Sequence, residues 1–157
     1  SFARMPSINL YPGNLDKVIS TQLSLFKISN SNINWNYTNR VPKDFKIKLD
    51  SQKIRQALTN IFQNSVDSIN ENLSDSDGII YISADLEKGK IVLTIEDNGV
   101  GFPNNKDDLT LPYVTFREKG TGLGLSIVHR IIEEHNGKLV LDDSDLGGAK
   151  IIIEFLI

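Results

Sequence analysis

The stretch "REKGTGLGLS", Arg117–Ser126, sets glycines at 120, 122 and 124 behind two cations and ahead of an apolar run. Glycines on alternate positions let backbone amides approach a phosphate. The first free N–H groups of a following helix, with its dipole, favour an anion there. Two common phosphate-binding patterns do not fit. A dinucleotide fingerprint gains some support from Asp142, about twenty residues on, but needs its third glycine where Leu125 stands. Only the short "YVTF" (113–116) precedes the loop as a strand, and the residues that follow are too few for a doubly wound sheet. No Gly-Lys-Ser/Thr follows the glycines, so the Walker pattern fails as well.

Working outward, "GLGLSIVHRIIEEHNG" (122–137) reads as a helix closed by Asn136 and Gly137. "KLVLDD" (138–143) and "AKIIIEFLI" (149–157) supply two last strands. Upstream, residues 98–119 lose all periodicity and collect Gly, Pro, Asn and Asp, a segment too long to be idle in a compact domain. "GIIYISADLE" (78–87) and "KIVLTIED" (90–97) form a hairpin about Lys88 and Gly89. "SQKIRQALTNIFQNSVDSIN" (51–70) is a long helix capped by Asp50 or Ser51, and "NLDKVISTQLSLFKIS" (14–29) a helix capped by Asn14. "INWNYT" (33–38) and "FKIKL" (45–49) alternate as strands, and residues 1–13, with Pro6, Pro12 and Gly13, read as an irregular lead-in. The order is mixed α+β, with helices that can share one sheet face.

The bulk properties narrow the class. At 157 residues, 39% hydrophobic and 24% charged, the sequence suits one globular domain. A net charge of −3 argues against a nucleic-acid or acidic-membrane binder. No window approaches a membrane span, and the start lacks a signal peptide's basic head and apolar run. Without cysteine there are no disulfides or thiolate metal sites, and two histidines without HExxH spacing leave no zinc-hydrolase signal.

Two further segments carry polar residues where packing does not ask for them. On the long helix, Ile54, Leu58, Ile61, Phe62 and Ile69 form a core-facing arc, with Asn60 and Asn64 together at its border. These asparagines either continue a solvated stripe with Gln56, Gln63 and Asp67, or set two amide oxygens on a pocket lip, suited to a hard cation such as Mg²⁺. In "EDNGVGF" (96–102), Asn98-Gly99 could make a hairpin turn, but "VGFPNNKDD" does not continue as a strand. The alternative puts Asp97 at the end of a buried strand. A carboxylate only accepts, so it selects a ligand with an amino group, such as adenine, over one presenting a carbonyl. Gly99 and Gly101 would then let the backbone pass close to the ring.

In this order the segments resemble the ATP-binding catalytic domain of sensor histidine kinases, within the gyrase, heat-shock chaperone, kinase and mismatch-repair ATPase superfamily. "DSQKIRQALTNIFQNSVDSI" (50–69) resembles its N box, "DNGVG" (97–101) its first glycine box and "GTGLGLSIV" (120–128) its second. "LPYVTF" (111–116) stands in the place of the aromatic F box. "GGAK" (147–150) is similar to the last glycine motif, with Ala149 where threonine is common. The wording of 117–128, with "FARMP" upstream, resembles the nitrogen-regulation branch.

The resemblance implies a two-layer α/β sandwich, a mixed sheet with helices on one face (the Bergerat-type ATP-binding fold), over residues 14–157. Residues 1–13 would be a linker from a helical dimerisation domain. The cofactors implied are ATP and Mg²⁺. Asn64 would carry the metal contact, supported by Asn60, and Asp97 would bind the adenine amino group in a pocket shaped by Gly99 and Gly101. Gly120, Gly122 and Gly124 would wrap the phosphates, with Thr115, Thr121, Leu123 and Leu125 in the nucleotide-contacting set. Residues 102–119 would form a mobile lid, and Arg117 or Lys119 would reach the β- or γ-phosphate. The partners implied are the dimerisation domain bearing the phosphoacceptor histidine and a response-regulator receiver domain. The domain itself is expected to be monomeric and cytoplasmic, in a protein that can be anchored in a bacterial inner membrane.

Two departures bear on mechanism. Many members carry Lys or Arg three residues after the second asparagine, where this sequence has Asp67. Hydrolytic members carry a glutamate base four residues before the metal-binding asparagine, where this sequence has Asn60, which cannot take a proton at neutral pH. Transfer is therefore favoured over hydrolysis. A nucleotide-sensing or partner-binding module and a hydrolytic ATPase are the alternatives. Neither His129 nor His135 sits in a His-Glu-x-x-x-x-Pro motif, so His129 is expected on a helix surface and His135 at a helix end.

Overall fold

A computed structural model describes residues 8–72, 77–103 and 124–157. Helix α1 (Leu15–Ser29) starts where Asn14 Oδ1 accepts from Lys17 N at 3.2 Å, and α2 (Ser51–Glu71) where Asp50 Oδ1 accepts from Lys53 N at 3.2 Å. The third helix, α3 (Gly124–Glu134), ends in a Schellman motif. Asn136 N donates to Glu133 O at 2.9 Å and Gly137 N to Ile132 O at 2.9 Å, with Asn136 left-handed at φ 57°. The expected closure by Asn136-Gly137 is thus met in hydrogen-bond detail.

Five strands form the main sheet: β2 (Asn34–Asn39), β4 (Ile79–Glu87), β5 (Lys90–Asp97), β6 (Lys138–Asp143) and β7 (Ala149–Leu156). Their order is β2-β4-β5-β7-β6, with β2 parallel to β4 and the remaining pairs antiparallel. The sheet is mixed, as expected. Alternation decides its buried face: Ile91, Leu93, Ile95 and Asp97 of β5 lie inward, beside Ile151, Ile153 and Phe155 of β7.

The lead-in departs from the sequence reading. Tyr11–Gly13 is a short strand, β1, paired antiparallel to β3 (Ile47–Leu49) in a separate two-stranded sheet. Local pattern gave no strand signal there, because Pro12 and Gly13 are tolerated on an edge whose pairing partner lies far along the chain.

The core joins the sheet to α1, α2 and α3. Phe26 of α1, Trp35 of β2 and Phe62 of α2 meet with centroids 5.5–6.0 Å apart, two of the three pairs edge to face. Such pairs add to burial, and truncating the fully buried Phe62 to Ala would cost about 3–5 kcal/mol. The apolar arc of α2 is buried as expected at Ile54, Leu58, Ile61 and Phe62, while Ile69 is half-buried. This packing fixes α2, and α2 carries one wall of the candidate site.

Candidate functional site

Asn60, Asn64 and Ser68 follow one another at four-residue spacing along α2, a row about 12 Å long at 1.5 Å per residue. Each end of the row meets a glycine segment. At one end Asn60 Nδ2 lies 3.5 Å from Gly124 O, at the start of α3. A Cβ on Gly124 would stand 3.7 Å from Asn64 Nδ2 and 3.9 Å from its Oδ1, so the third glycine of the quoted loop faces both asparagines. Both are half-buried at the helix border, as the spacing implied.

At the other end Ser68, buried at 1% exposure, supports the segment after β5. Its Oγ accepts from Val100 N at 2.9 Å, and Gly99 packs so closely on it that any Cβ there would overlap the serine. Gly101 takes φ 78°, a conformation that favours glycine, and backs onto Gly148 at ordinary contact distance. These contacts exclude a hairpin turn at Asn98-Gly99.

Asp97 closes β5 at 2% exposure. Its Oδ1 accepts from Gly99 N at 2.9 Å and from Ala149 N at 3.2 Å, two amides 50 residues apart in the chain. A buried carboxylate so held is fixed in one orientation. Asn98 braces it from behind. Its Oδ1 accepts from Ile79 N at 2.8 Å, its Nδ2 donates to Asp77 O at 2.7 Å, and its carbonyl accepts from Asn72 Nδ2 at 2.9 Å.

Asn60, Asn64 and Gly124 thus come together at one end of the row and Asp97, Gly99 and Gly101 at the other. Leu125 is 5% exposed with its side chain in the core, so anything it offers a ligand comes from its main chain. Asp67 accepts from Gln63 Nε2 at 2.8 Å. Thr115, Arg117, Lys119, Gly120, Thr121, Gly122 and Leu123 lie outside the described residues, as does most of the segment 102–119 with its "LPYVTF". Sequence reasoning passed over Ser68, weighed Asn98 only as a turn residue, and met Gly148 only within "GGAK". Gly148 had a signal in the Gly147-Gly148 pair. Ser68 had one in its place one turn beyond Asn64.

The histidines differ. His129 lies on the surface of α3, its Nδ1 3.5 Å from Glu133 Oε1. His135 is 8% exposed and packs edge-on to Phe155 at 6.2 Å, more enclosed than a helix-end residue was expected to be.

Residues 49–157 match the family model described as histidine kinase-, DNA gyrase B- and HSP90-like ATPase. The nitrogen regulation protein NtrY of Azorhizobium caulinodans is 37% identical over 150 residues, which are 94% of this chain and 19% of that protein. Sporulation kinase B of Bacillus subtilis is 34% identical over 112 residues, 71% of this chain and 25% of that kinase. The chain therefore spans a quarter or less of these relatives. Among solved structures, the nucleotide-free catalytic domain of histidine kinase ThkA superposes with a TM-score of 0.82 at 26% identity, covering 94% of this chain and 95% of that one. The same kinase has also been solved in complex with a response regulator protein, TrrA.

Proposed function

We propose, from the premise that this chain belongs to the histidine kinase-, DNA gyrase B- and HSP90-like ATPase family, that it is the catalytic module of a sensor histidine kinase. It binds ATP with Mg²⁺ and delivers the γ-phosphoryl group to a histidine on a separate helical dimerisation domain. The observation that carries the reading is the doubly anchored Asp97 at one end of a helix row whose other end carries two asparagines facing a glycine.

The residues present fit the ligand. Glycines at 99 and 148 let the backbone close tightly on Ser68 and on Asp97, setting an acceptor-only group that favours an exocyclic amino group such as that of adenine. The asparagines offer neutral hard oxygens where a phosphate-bound Mg²⁺ needs only one or two protein ligands and otherwise keeps water and phosphate oxygens. Asn64 would hold the metal, which when bound neutralises charge developing on the β- and γ-phosphates.

This chain's own residues bind and orient. Asp97 fixes the base, and the amide groups at the start of α3 face the phosphates. In the transfer, the bond from the γ-phosphorus to the β,γ-bridging oxygen breaks as a bond to an imidazole nitrogen forms, and ADP leaves. Asn60 supplies no base, so water is not activated and the phosphoryl group waits for the incoming imidazole. Arg117 and Lys119 remain candidates for stabilising the γ-phosphate. A response-regulator receiver domain is the proposed destination of the phosphoryl group, by analogy with ThkA and TrrA.

The test is calorimetry with a non-hydrolysable ATP analogue and Mg²⁺, followed by mixing the chain with ATP and a separately supplied dimerisation domain. Binding with phosphate appearing on that domain's histidine is expected. Binding without transfer to any histidine domain supplied would favour a nucleotide-sensing module. Steady release of phosphate would favour a hydrolytic ATPase.

A further inference from the structure

Helix α2 lacks the residue that ordinarily completes its first turn. In a capping box the third helical residue is Glu or Gln, whose side chain accepts from the N-cap's own backbone N–H. Here that residue is Lys53, which has no acceptor. The Asp50 carboxylate serves other amides, Lys53 N through Oδ1 and Asn9 N through Oδ2 at 3.0 Å. The Asp50 amide is taken instead by Nε2 of His135, 85 positions along the chain, at 3.0 Å.

His135 is the C-cap of α3, and its other ring nitrogen, Nδ1, lies 2.8 Å from Ile131 O. The partners define the tautomer: a backbone N–H can only donate to Nε2 and a carbonyl can only accept from Nδ1–H. One imidazole thus completes the cap of α2 and satisfies a last-turn carbonyl of α3. The two helices run antiparallel, joined by His135 where α3 ends and α2 begins, and by Gly124 and Asn60 where α3 begins.

We propose that His135 is a positioning residue for the nucleotide site: by fixing α3 against α2 it sets the gap between Gly124 and the Asn60–Asn64 pair. This rests on the nucleotide reading above and assigns that gap to the phosphate and metal end. Asp50 and Asn60 are ten residues apart on one rigid helix, about 15 Å. The base end is built differently. Asp97 is held by the amides of Gly99 and Ala149, on the sheet rather than on α3. Loosening the His135 contact should therefore act on one end of the ligand and spare the other.

The experiment compares the unmodified chain with His135→Leu and His135→Gln, titrating each with adenosine and with Mg²⁺ plus a non-hydrolysable ATP analogue. Leucine keeps apolar bulk and removes the acceptor. It is expected to weaken the analogue about three- to tenfold, the equivalent of one hydrogen bond, and adenosine by less than about twofold. Glutamine, whose Oε1 can accept from the Asp50 amide, should bind the analogue within about twofold of the unmodified chain. Equal weakening of both ligands, or unchanged analogue affinity in the leucine variant, overturns the proposal. Should His135→Leu not fold, the ¹⁵N spectrum of the His135 ring in the unmodified chain decides: a proton on Nδ1 alone is expected, and one on Nε2 overturns the contact. Failure of the unmodified chain to bind adenosine would sink the nucleotide reading itself, and the imidazole spectrum would still report the helix contact.

Discussion

Gly148 and Asp97 occupy each other's space: a Cβ on Gly148 would overlap the Asp97 carboxylate and stand 2.5 Å from the Asp97 carbonyl oxygen and 2.6 Å from Gly99 N. Two of these three atoms are backbone and cannot swing aside. Gly148→Ala is therefore expected to displace the end of β5, lowering stability by about 1–3 kcal/mol, the usual scale of overpacking. Adenine-nucleotide affinity should fall at least about tenfold. Denaturant unfolding and calorimetry on one preparation check both, and unchanged values in each would refute the overlap.

Asp97→Asn separates the charge from the scaffold. The amide oxygen still accepts from Gly99 N and Ala149 N, so the fold should survive. The group proposed to meet the ligand would change from acceptor to donor. Adenine-nucleotide binding should weaken by about 1–3 kcal/mol, the scale of an unsatisfied buried polar partner. Calorimetry that finds unchanged affinity removes the adenine assignment.

Asn60→Glu places a carboxylate where hydrolytic relatives of the superfamily carry a base. The side chain sits half-buried beside the start of α3, so the acid would be near the proposed phosphate end. Steady-state phosphate release should rise, by up to about a hundredfold if water is well placed, since a positioned general base contributes on that order or more. An unmodified chain that already releases phosphate steadily would show that Asn60 does not block hydrolysis.

The chain incubated alone with labelled ATP should carry little label on either histidine. Both ring nitrogens of His135 are engaged and the ring is buried against Phe155. His129 is partly exposed, with its Nδ1 3.5 Å from Glu133 Oε1, but it lies outside any His-Glu-x-x-x-x-Pro motif. Rapid labelling at either position, read by mass spectrometry, would overturn the assignment of roles.

What the sequence disclosed depended on reach. Periodicity along the chain revealed α2 and its two asparagines, because residues four apart share a helix face whatever the rest of the fold does. Asp97 was legible because a strand pattern stopped abruptly at an acid followed by two glycines. The Asn136-Gly137 stop was legible because a Schellman motif is local. Residues 11–13 were not, since a three-residue strand containing Pro and Gly exists only through its pairing with 47–49. Nor was His135, whose ring meets an amide 85 residues away, nor the anchoring of Asp97 by Ala149 N across 52. Such contacts leave no periodic trace.

Asp50 gives a prediction with a definite pH sense. Partial burial alone would push its carboxyl up. Hydrogen bonds from the Asn9, Lys53 and Gln52 amides outweigh this and hold it below the ordinary 3.8. A carboxyl depressed on folding contributes stability that is present above its unfolded value and lost as pH falls through the lower folded one. At pH 7, Asp50→Ala should lose the N-cap and cost about 1 kcal/mol in urea unfolding. Near pH 3 and below, the unmodified chain protonates the same group, and the gap between the two proteins should narrow. Asp50→Asn separates the contributions, since it keeps a capping oxygen without the charge: it should lie between the other two at pH 7 and vary less with acid than the unmodified chain. If the Asp50→Ala gap were the same at pH 7 and pH 3, the carboxylate's charge would have no part in tying α2 to Asn9, and the cap would act through its shape alone.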